Sequence, residues 1–417
     1  MSGSLDTAVR VAAGRGALPR YLVAATLARG ADAGATVGVV LLATVSQVGA
    51  TRPALLGGLL AACLTAPHLL GPLLARWLDR APDGRGRLAA GFVTYAAAVS
   101  TAALLLGRVP VGVPAALLVV AGTCGPLLTG GLSSRLAGLL DADERVQRRG
   151  QGWDAVTYGV GGSAGPAAVA ALAALAGPRP SLVGLGVATL LAAALVVTLP
   201  ARVPVRHGPA RTAPAARGAL RALLGPGPLR RVTAVTTLAA LTGGAVSVLA
   251  VALAVDLDRE AVSGALLAAA YGGGNLAGAL VVTAFPLTGE PERLTVRWAA
   301  LGAVGIGLCA AVPSFPLAVV AFTLAGAATA PLFAATLAAR SAYAPDAVRT
   351  QVFVSTAALK VAAGSLGTGL AGALAPLGPR LLLVAGASIA LAAAVAAAVS
   401  ARGHRGARPP APTSPLV

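Results

Sequence analysis

Three ionisable side chains lie inside long apolar stretches of this sequence, where surface charges are not expected. Arg29 and Asp32 interrupt one stretch, and Lys360, the only lysine of the chain, interrupts another. A charge at the centre of a bilayer costs about 2.5–3.5 kcal/mol even on insertion scales, so residues of this kind are expected to have a function. The chemistry open to them is reversible proton binding by the carboxylate and attraction of anions by the cations.

The spacing of Arg29 and Asp32 predicts that they share one helix face. Side chains three residues apart on a helix are within reach of an ion pair. We expect Asp32 to be the proton-binding carboxylate and Arg29 to keep it ionised until the conformation changes. The alternative is a static pair that only neutralises itself. Lys360 is expected either to contact an anionic substrate or compete with Arg29 for Asp32, or to extend towards the cytoplasm as an anchor.

Four other polar residues in apolar stretches are weaker candidates. His68 can titrate near neutral pH, but a hydrogen bond to a carbonyl is the simpler interpretation. Tyr271 and Asn275 are one helical turn apart and can hydrogen-bond either a substrate or another helix. Asp154 is expected near a membrane interface, paired with basic loop residues.

The composition requires a membrane around these residues. Of the 417 residues, 57% are hydrophobic and only 11% are charged, and the mean hydropathy is +0.82. One soluble core cannot bury so much apolar surface. Stretches of about 17–25 residues are long enough to cross a bilayer as helices. Twelve are predicted, near residues 19–45, 53–75, 88–107, 111–133, 152–176, 180–200, 232–255, 262–284, 297–313, 316–339, 351–376 and 380–401.

The net charge of +18 is a signal of membrane topology. The charges alternate with the apolar stretches, which argues against nucleic acid as a partner. With the N-terminus in the cytoplasm, arginines inside outnumber those outside by roughly five to one, as the positive-inside rule requires. We therefore expect a multi-pass protein of the plasma membrane with both termini in the cytoplasm.

The chain divides into two parts of equal helix number. Residues 201–230 are rich in arginine and proline and are predicted to be a cytoplasmic linker between bundles at 1–200 and 231–402, with a disordered tail at 403–417. A shift of about 202 residues places the Gly-Ser-Ala-Gly sequence at 162–165 on the Gly-Ser-Leu-Gly sequence at 364–367. Parallel six-helix repeats of this kind occur in secondary transporters.

A charged motif follows the second apolar stretch, within residues 71–87. Its four conspicuous charges are Asp79, Arg80, Arg85 and Arg87. The segment resembles the Gly-x-x-x-Asp-Arg-x-Gly-Arg-Arg signature of the major facilitator superfamily, although Ala75 replaces the first glycine and the part after Arg80 is longer. The alternative is an ordinary basic loop that obeys the positive-inside rule.

A glycine ladder in the fifth stretch resembles the antiporter signature of the same superfamily. The matching residues are Gly152, Gly161, Gly165 and Pro166. Val169 and Ala170 replace the last two glycines, and the span from Val111 to Ser133 lacks the arginine of the antiporter pattern. The alternative is that the ladder serves close helix packing only.

The resemblance implies an all-α integral membrane protein of twelve helices in two six-helix bundles. It further implies a monomeric secondary transporter that exports a drug or metabolite in exchange for protons by alternating access. An uptake permease of the same fold and a non-transporting receptor or scaffold are the alternatives. No phosphate-binding Gly-x-x-x-x-Gly-Lys loop and no metal-ligand spacing occur, so an enzyme, a cofactor and a metal are not expected.

Overall fold

The computed structural model describes residues 16–45, 53–79, 81, 83–140, 144–201, 221–285, 287–345 and 349–406. These residues are almost entirely helical. The first six long helices are α1 Ala17–Val45, α2 Pro53–Thr65 continued by Ala66–Leu70 and Gly71–Asp79, α3 Arg85–Leu105, α4 Gly112–Pro126 continued by Leu127–Gly131 and Leu132–Leu136, α5 Glu144–Ala176 and α6 Pro178–Val197.

Six further long helices form the second part of the chain. They are α7 Pro228–Asp256, α8 Ser263–Ala284, α9 Pro291–Ala311, α10 Phe315–Ala327 continued by Thr329–Tyr343, α11 Arg349–Ala373 and α12 Pro379–Gly406. Eleven of the twelve are long and apolar enough to cross a membrane. The twelfth, α11, has 25 residues and is about 37 Å long, which also suffices, and it contains Lys360. The predicted all-α membrane architecture is confirmed.

Several helix boundaries differ from the predicted ones. Helix α5 begins at Glu144, eight residues before the predicted start at 152, because a helix can continue into water through a polar segment. Helix α12 continues to Gly406, into the segment predicted to be a disordered tail. Most of the predicted linker and tail, residues 202–220 and 407–417, lies outside the described residues, so those two predictions stay predictions.

Proline residues explain where two helices change their winding. In α2, Pro67 lies in the 3-10 segment Ala66–Leu70, and in α4 the π-helical turn Leu127–Gly131 follows Pro126 directly. Proline removes one backbone donor and displaces the preceding turn, and neighbouring helices in a membrane protein compensate for the loss. The irregular turn in α2 carries His68.

The two halves pack in the same way. Helix α1 contacts α2, α5 and α6, and helix α7 makes the matching contacts with α8, α11 and α12. The halves meet where α2 packs against α11 and where α5 packs against α8. A cavity between the halves is therefore bordered by helices of both.

The glycine ladder of α5 packs mainly within its own half. A Cβ atom added at Gly165 would overlap the backbone oxygen of Gly30 in α1, and one at Gly161 would collide with the Arg29 and Gly30 backbone. Small residues thus let α1 and α5 approach to backbone contact. Gly162, one position on, instead lies against Gly272 of α8 in the other half.

The faint copy of this ladder in α11 has the same role. A Cβ at Gly367 would overlap the backbone of Leu241 in α7, and one at Gly244 would overlap Gly364. Because α11 and α7 correspond to α5 and α1, the 202-residue shift predicted from sequence relates two equivalent packing seams. Gly152 lies within α5, and Pro166 lies inside the same helix.

A second repeat, absent from the sequence-based predictions, is a Gly-Pro-Arg sequence that opens the sixth helix of each half. Gly177 and Gly378 have φ values of 92° and 87°, which favour glycine, and each is followed by a proline at the first helical turn. The arginines then bind carbonyls at the end of the third helix of their half: Arg179 binds Leu106, and Arg380 binds Ala310 and Val312. Positive charge at a helix C-terminus is favourable.

The α1–α5 seam provides a stability prediction with a matched control in the same helix. Gly165→Ala is expected to lower the free energy of unfolding by about 1–3 kcal/mol, because its Cβ has no room against Gly30. Gly162→Ala finds no atom within 4 Å of its new Cβ and is expected to be neutral or stabilising by up to about 1 kcal/mol. Thermal unfolding in detergent compares the two, and equal effects would contradict the packing role.

Candidate functional site

A cavity of about 420 Å³ lies between the two halves. Its wall is built largely of glycine, alanine, serine and threonine, interrupted by a few larger polar side chains. Four residues predicted from sequence line it together: Asp32, His68, Tyr271 and Asn275. The cavity is large enough for a small organic molecule. Pro166 of the ladder also lines it, whereas Arg29 and Lys360 are not among its lining residues.

Asp32 faces the cavity beside His68. The imidazole Nε2 lies 3.6 Å from the Asp32 Oδ1 atom, and the side chains are 21% and 15% exposed for Asp32 and His68 respectively. Tyr95 donates a long hydrogen bond of 3.4 Å to the same carboxylate oxygen. The wall thus holds a carboxylate next to an imidazole, two groups that exchange protons.

The imidazole of His68 is held by its packing. A Cβ atom at Gly125 of α4 would overlap the ring, so the backbone of α4 lies directly against it. The second ring nitrogen, Nδ1, is buried and has no hydrogen-bond partner. The structure therefore places a titratable ring in the cavity wall with one polar atom unsatisfied.

The second half contributes polar groups without formal charge. The Tyr271 hydroxyl and the Thr329 hydroxyl are 2.9 Å apart and hydrogen-bond each other. Ser365 lines the cavity, and its buried hydroxyl oxygen has no partner. A buried hydroxyl without a partner is costly, so a ligand that reaches it gains a hydrogen bond. Together with Asn275, these groups can orient a polar solute.

Arg29 does not pair with Asp32, and that prediction is wrong. Its Nη2 atom lies 2.8 Å from the Oδ1 atom of Asp154 in α5. The guanidinium also donates hydrogen bonds to Ser133, to Thr157 and to the Asp154 carbonyl. Side chains three residues apart diverge by about 60° around a helix, so Arg29 faces α5 while Asp32 faces the cavity.

Asp154 is the partner that the sequence did not reveal. It was expected to pair with basic loop residues, but it instead binds Arg29, accepts a hydrogen bond of 2.5 Å from the Tyr21 hydroxyl and accepts one of 3.0 Å from Ser133. The Arg29 side chain is 2% exposed, and its charge lies 3.6 Å from the centre of the Tyr158 ring. This buried network joins α1, α4 and α5 and has the character of a structural ion pair, although the Nε atom of Arg29 is buried without a hydrogen-bond partner.

Lys360 neither contacts Asp32 nor forms an ion pair with a described residue. Its ammonium lies over the ring of Phe333 in α10, 5.1 Å from the ring centre. The predicted competition with Arg29 for Asp32 is therefore absent from this conformation.

The charged segment between α2 and α3 binds the end of α6. Asp83 forms ion pairs with Arg85, at 2.5 Å, and with Arg135, at 3.5 Å. Arg85 in turn donates a hydrogen bond of 2.5 Å to the carbonyl of Leu199, and Arg135 donates one of 3.0 Å to that of Pro200. The carbonyls at a helix C-terminus lack intrahelical partners, which these arginines supply.

The other motif residues of this segment have different positions. Arg87 donates a hydrogen bond to the Trp77 carbonyl and stacks 5.0 Å from the Trp77 ring centre. Asp79 is the last residue of α2, and Arg80 lies outside the described residues. Arg135 also corrects the expectation of an arginine-free fourth helix, since α4 continues past Ser133 to Leu136, yet Arg135 faces the α6 end and not the cavity.

Comparison with solved structures identifies the architecture. A bacterial homologue of the human lysosomal transporter Spinster, in an inward-facing and unoccupied conformation, superposes with a TM-score of 0.68 at 16% identity, covering 94% of this chain and 99% of that chain. The chain has the major facilitator fold. Its helix order and paired halves agree with the predicted fold class.

Peptide transporters share the major facilitator fold with this chain. A POT family transporter in complex with a thioalcohol-conjugated peptide gives a TM-score of 0.67 at 10% identity, covering 93% of this chain and 96% of that chain. A peptide transporter POT in complex with sulfate gives 0.68 at 13% identity, covering 93% and 94%. No protein-family model and no curated protein matches the sequence.

The buried network at Arg29 yields a prediction about stability. Asp154→Leu or Arg29→Met alone is expected to cost about 3–5 kcal/mol, because each leaves a buried charge without its partner. The double variant Arg29→Met with Asp154→Leu should recover most of that loss. Thermal unfolding of the four proteins measures the coupling, and additive losses would contradict a paired role. Asp32→Asn, outside this network, serves as the control.

The loop at Asp83 yields a prediction about pH. Partial burial alone would raise the pKa of Asp83, but hydrogen bonds from Arg85 and the charges of Arg85 and Arg135 lower it overall. A carboxyl with a lowered pKa stabilises the fold above its unfolded pKa and ceases to do so as the pH falls through the folded value. Wild type should therefore exceed Asp83→Asn by about 1 kcal/mol at pH 7 and lose this advantage in acid. A difference independent of pH would contradict it.

Proposed function

We propose that this protein is a secondary active transporter that moves small organic molecules by alternating access, with protons as the coupling ion and export as the direction. The observation that carries the proposal is the cavity between the halves, which places Asp32 and His68 opposite Tyr271 and Asn275. In transporters built from repeats, the substrate and coupling-ion sites lie near the repeat interface. The major facilitator fold is consistent with this mechanism.

Asp32 is the proton site in this proposal. Its neighbour Arg29 is already neutralised by Asp154, so no arginine holds Asp32 permanently ionised. The groups within reach are His68 at 3.6 Å and Tyr95 at 3.4 Å, both of which can share a proton with a carboxylate. Loss or gain of one proton then changes the charge of the cavity wall by one unit, and the preferred conformation can depend on that charge.

The substrate is bound by the polar groups of the second half. Tyr271, Asn275 and Ser365 offer hydrogen bonds, while the small residues around them leave space for the solute. Two features support rocking of the halves. Each half has its own close glycine seam, and the ion pairs described above join residues of the same half. The membrane orientation expected from the arginines places the α2–α3 loop in the cytoplasm.

Export in exchange for protons is favoured by the resemblance of the α5 ladder to the antiporter signature. Uptake by the same fold remains the second candidate, since Gly161 and Gly165 have a sufficient reason to be glycine in their packing on α1.

Replacement of Asp32 tests the proton site. Inverted vesicles are loaded with a pH-sensitive dye and energised, and a panel of cationic, neutral and anionic small molecules is added. An exporter should dissipate the proton gradient when its substrate is present. Asp32→Asn keeps the side-chain volume but removes the ionisable group, so coupled flux is expected to fall about a hundredfold, while exchange of substrate for substrate continues.

The control is Glu260→Gln, which makes the same chemical change on an exposed residue outside the cavity. It should keep full coupling. Full coupled transport by Asp32→Asn would remove Asp32 as the proton site. Accumulation of substrate in place of efflux would favour uptake, and the absence of any flux across the panel would favour a receptor or scaffold.

A further inference from the structure

Among the described residues of the second half, two positive side chains that are not exposed lack a negative partner, Arg340 and Lys360. Arg340 in α10 is 3% exposed, and its Nε and Nη2 atoms are buried without a hydrogen-bond partner. The ammonium of Lys360 in α11 lies over the ring face of Phe333 and forms no ion pair with a described residue. Arg340 lies seven residues, or two helical turns, beyond Phe333, so it shares a face of α10 with the ring that the Lys360 ammonium contacts. A buried charge without a counterion is costly in free energy, so an anion bound near these two side chains would stabilise them.

The acidic residues described at the start of α9, Glu290 and Glu292, already have partners. Glu292 binds Arg231 through both carboxylate oxygens, at 2.5 Å and 3.0 Å, and Glu290 pairs with Arg293 at 2.8 Å. The corresponding cation of the first half, Arg135, lies in the last turn of α4 and has Asp83 as its partner. Within the described residues, Arg340 therefore differs from its counterpart by the absence of a carboxylate.

The two cations follow the wall of the cavity along both helices. Thr329 and Gly364 line the cavity. Phe333 is one turn beyond Thr329 on α10, and Arg340, eleven residues beyond Thr329, returns to the same face after three turns. Lys360 is one turn before Gly364 on α11. The cations thus continue the cavity wall towards the end of the bundle where α10 ends and α11 begins.

We propose that Arg340 and Lys360 form a binding site for an oxyanion, the carboxylate or phosphate group of a transported organic solute. The guanidinium supplies donors in a planar fork that matches an oxyanion, and the ammonium adds a second charge. Phe333, which is 51% exposed, offers an apolar face to the rest of the solute. The site deepens the proposed function and rests on it, since it names the chemical class of the substrate.

The site is compatible with Asp32 as a proton site. Two cations exceed the charge of a single carboxylate, so the arrival of the anion does not require Asp32 to be protonated. In this proposal the anionic group of the solute binds first at Arg340 and Lys360, and the rest of the solute then forms hydrogen bonds with Tyr271 and Asn275.

A binding measurement tests the site without transport. The full chain in discs of phosphatidylcholine is heated with benzoate or phenyl phosphate, and with neutral benzamide and cationic benzylamine as matched probes. Unfolding is followed by the fluorescence of the three tryptophans. The two anions are expected to raise the melting temperature in a saturable way, and the other two probes are not. Equal effects of all four probes, or none, would overturn the proposal.

Variants locate the effect. Arg340→Gln and Lys360→Met are expected to weaken the apparent affinity for the anions about tenfold or more, whereas Lys360→Arg should retain most of it. Arg297→Gln removes the same charge from an exposed position and should bind as wild type. If Arg340→Gln does not fold, Lys360→Met and Lys360→Arg decide the matter. Unchanged affinity in the neutralising variants would overturn the proposal.

A lipid headgroup offers the same chemistry and must be separated from a solute. The measurement is repeated in discs that contain phosphatidylglycerol. Stabilisation by this lipid that depends on Arg340 and Lys360, with no response to the soluble anions, would assign the site to the membrane and overturn the solute assignment. Asp32→Asn should bind the anions normally, so loss of coupling and loss of the anion site are distinguishable failures.

Discussion

The free-energy cost of an ionised side chain away from water determines much of this structure. Arg29, which is almost fully buried, is accommodated by a carboxylate, hydroxyl groups and an aromatic ring. Those partners come from α4 and α5, so the pair can form only if α1 and α5 approach closely. The glycines of the ladder permit that approach, because any side chain at Gly165 would collide with Gly30. The ion pair and the glycine seam therefore depend on each other.

The same cost separates structural charges from candidate functional ones. Arg29 and Asp154 neutralise each other and do not line the cavity. Asp32 has only an imidazole and a phenol beside it, and it faces a cavity. A carboxylate beside an imidazole in a cavity wall is the kind of site that the proposed coupling to protons requires. The candidate functional charge is therefore Asp32, which has no arginine or lysine partner among the described residues.

The sequence was informative about the helices and about some of the residues that line the cavity, whereas Arg29 and Lys360 do not line it. Twelve apolar stretches predict twelve helices because a bilayer fixes their length, and polar residues such as His68 and Asn275 stand out in such stretches. Pairing was not predictable, since the three-residue rule that joins Arg29 to Asp32 cannot include Asp154 on another helix. Sequence analysis did not single out Arg340, because arginines are common near helix ends. The feature that could have indicated it is its position, 205 residues after Arg135 and at the same place in the repeat.

The two halves repeat the same fold but differ in their charged residues, and these two properties have separate consequences. Both halves use the same backbone devices: a glycine seam between their first and fifth helices, and an arginine after Gly177 or Gly378 that binds the end of the third helix. These devices join the helices within each half. Between the halves, backbones come into close contact where Gly272 meets Gly162, and each ion pair among the described residues lies within one half. If the halves rock as proposed, the direction and selectivity of the proposed transport depend on the few charges in which the two halves differ.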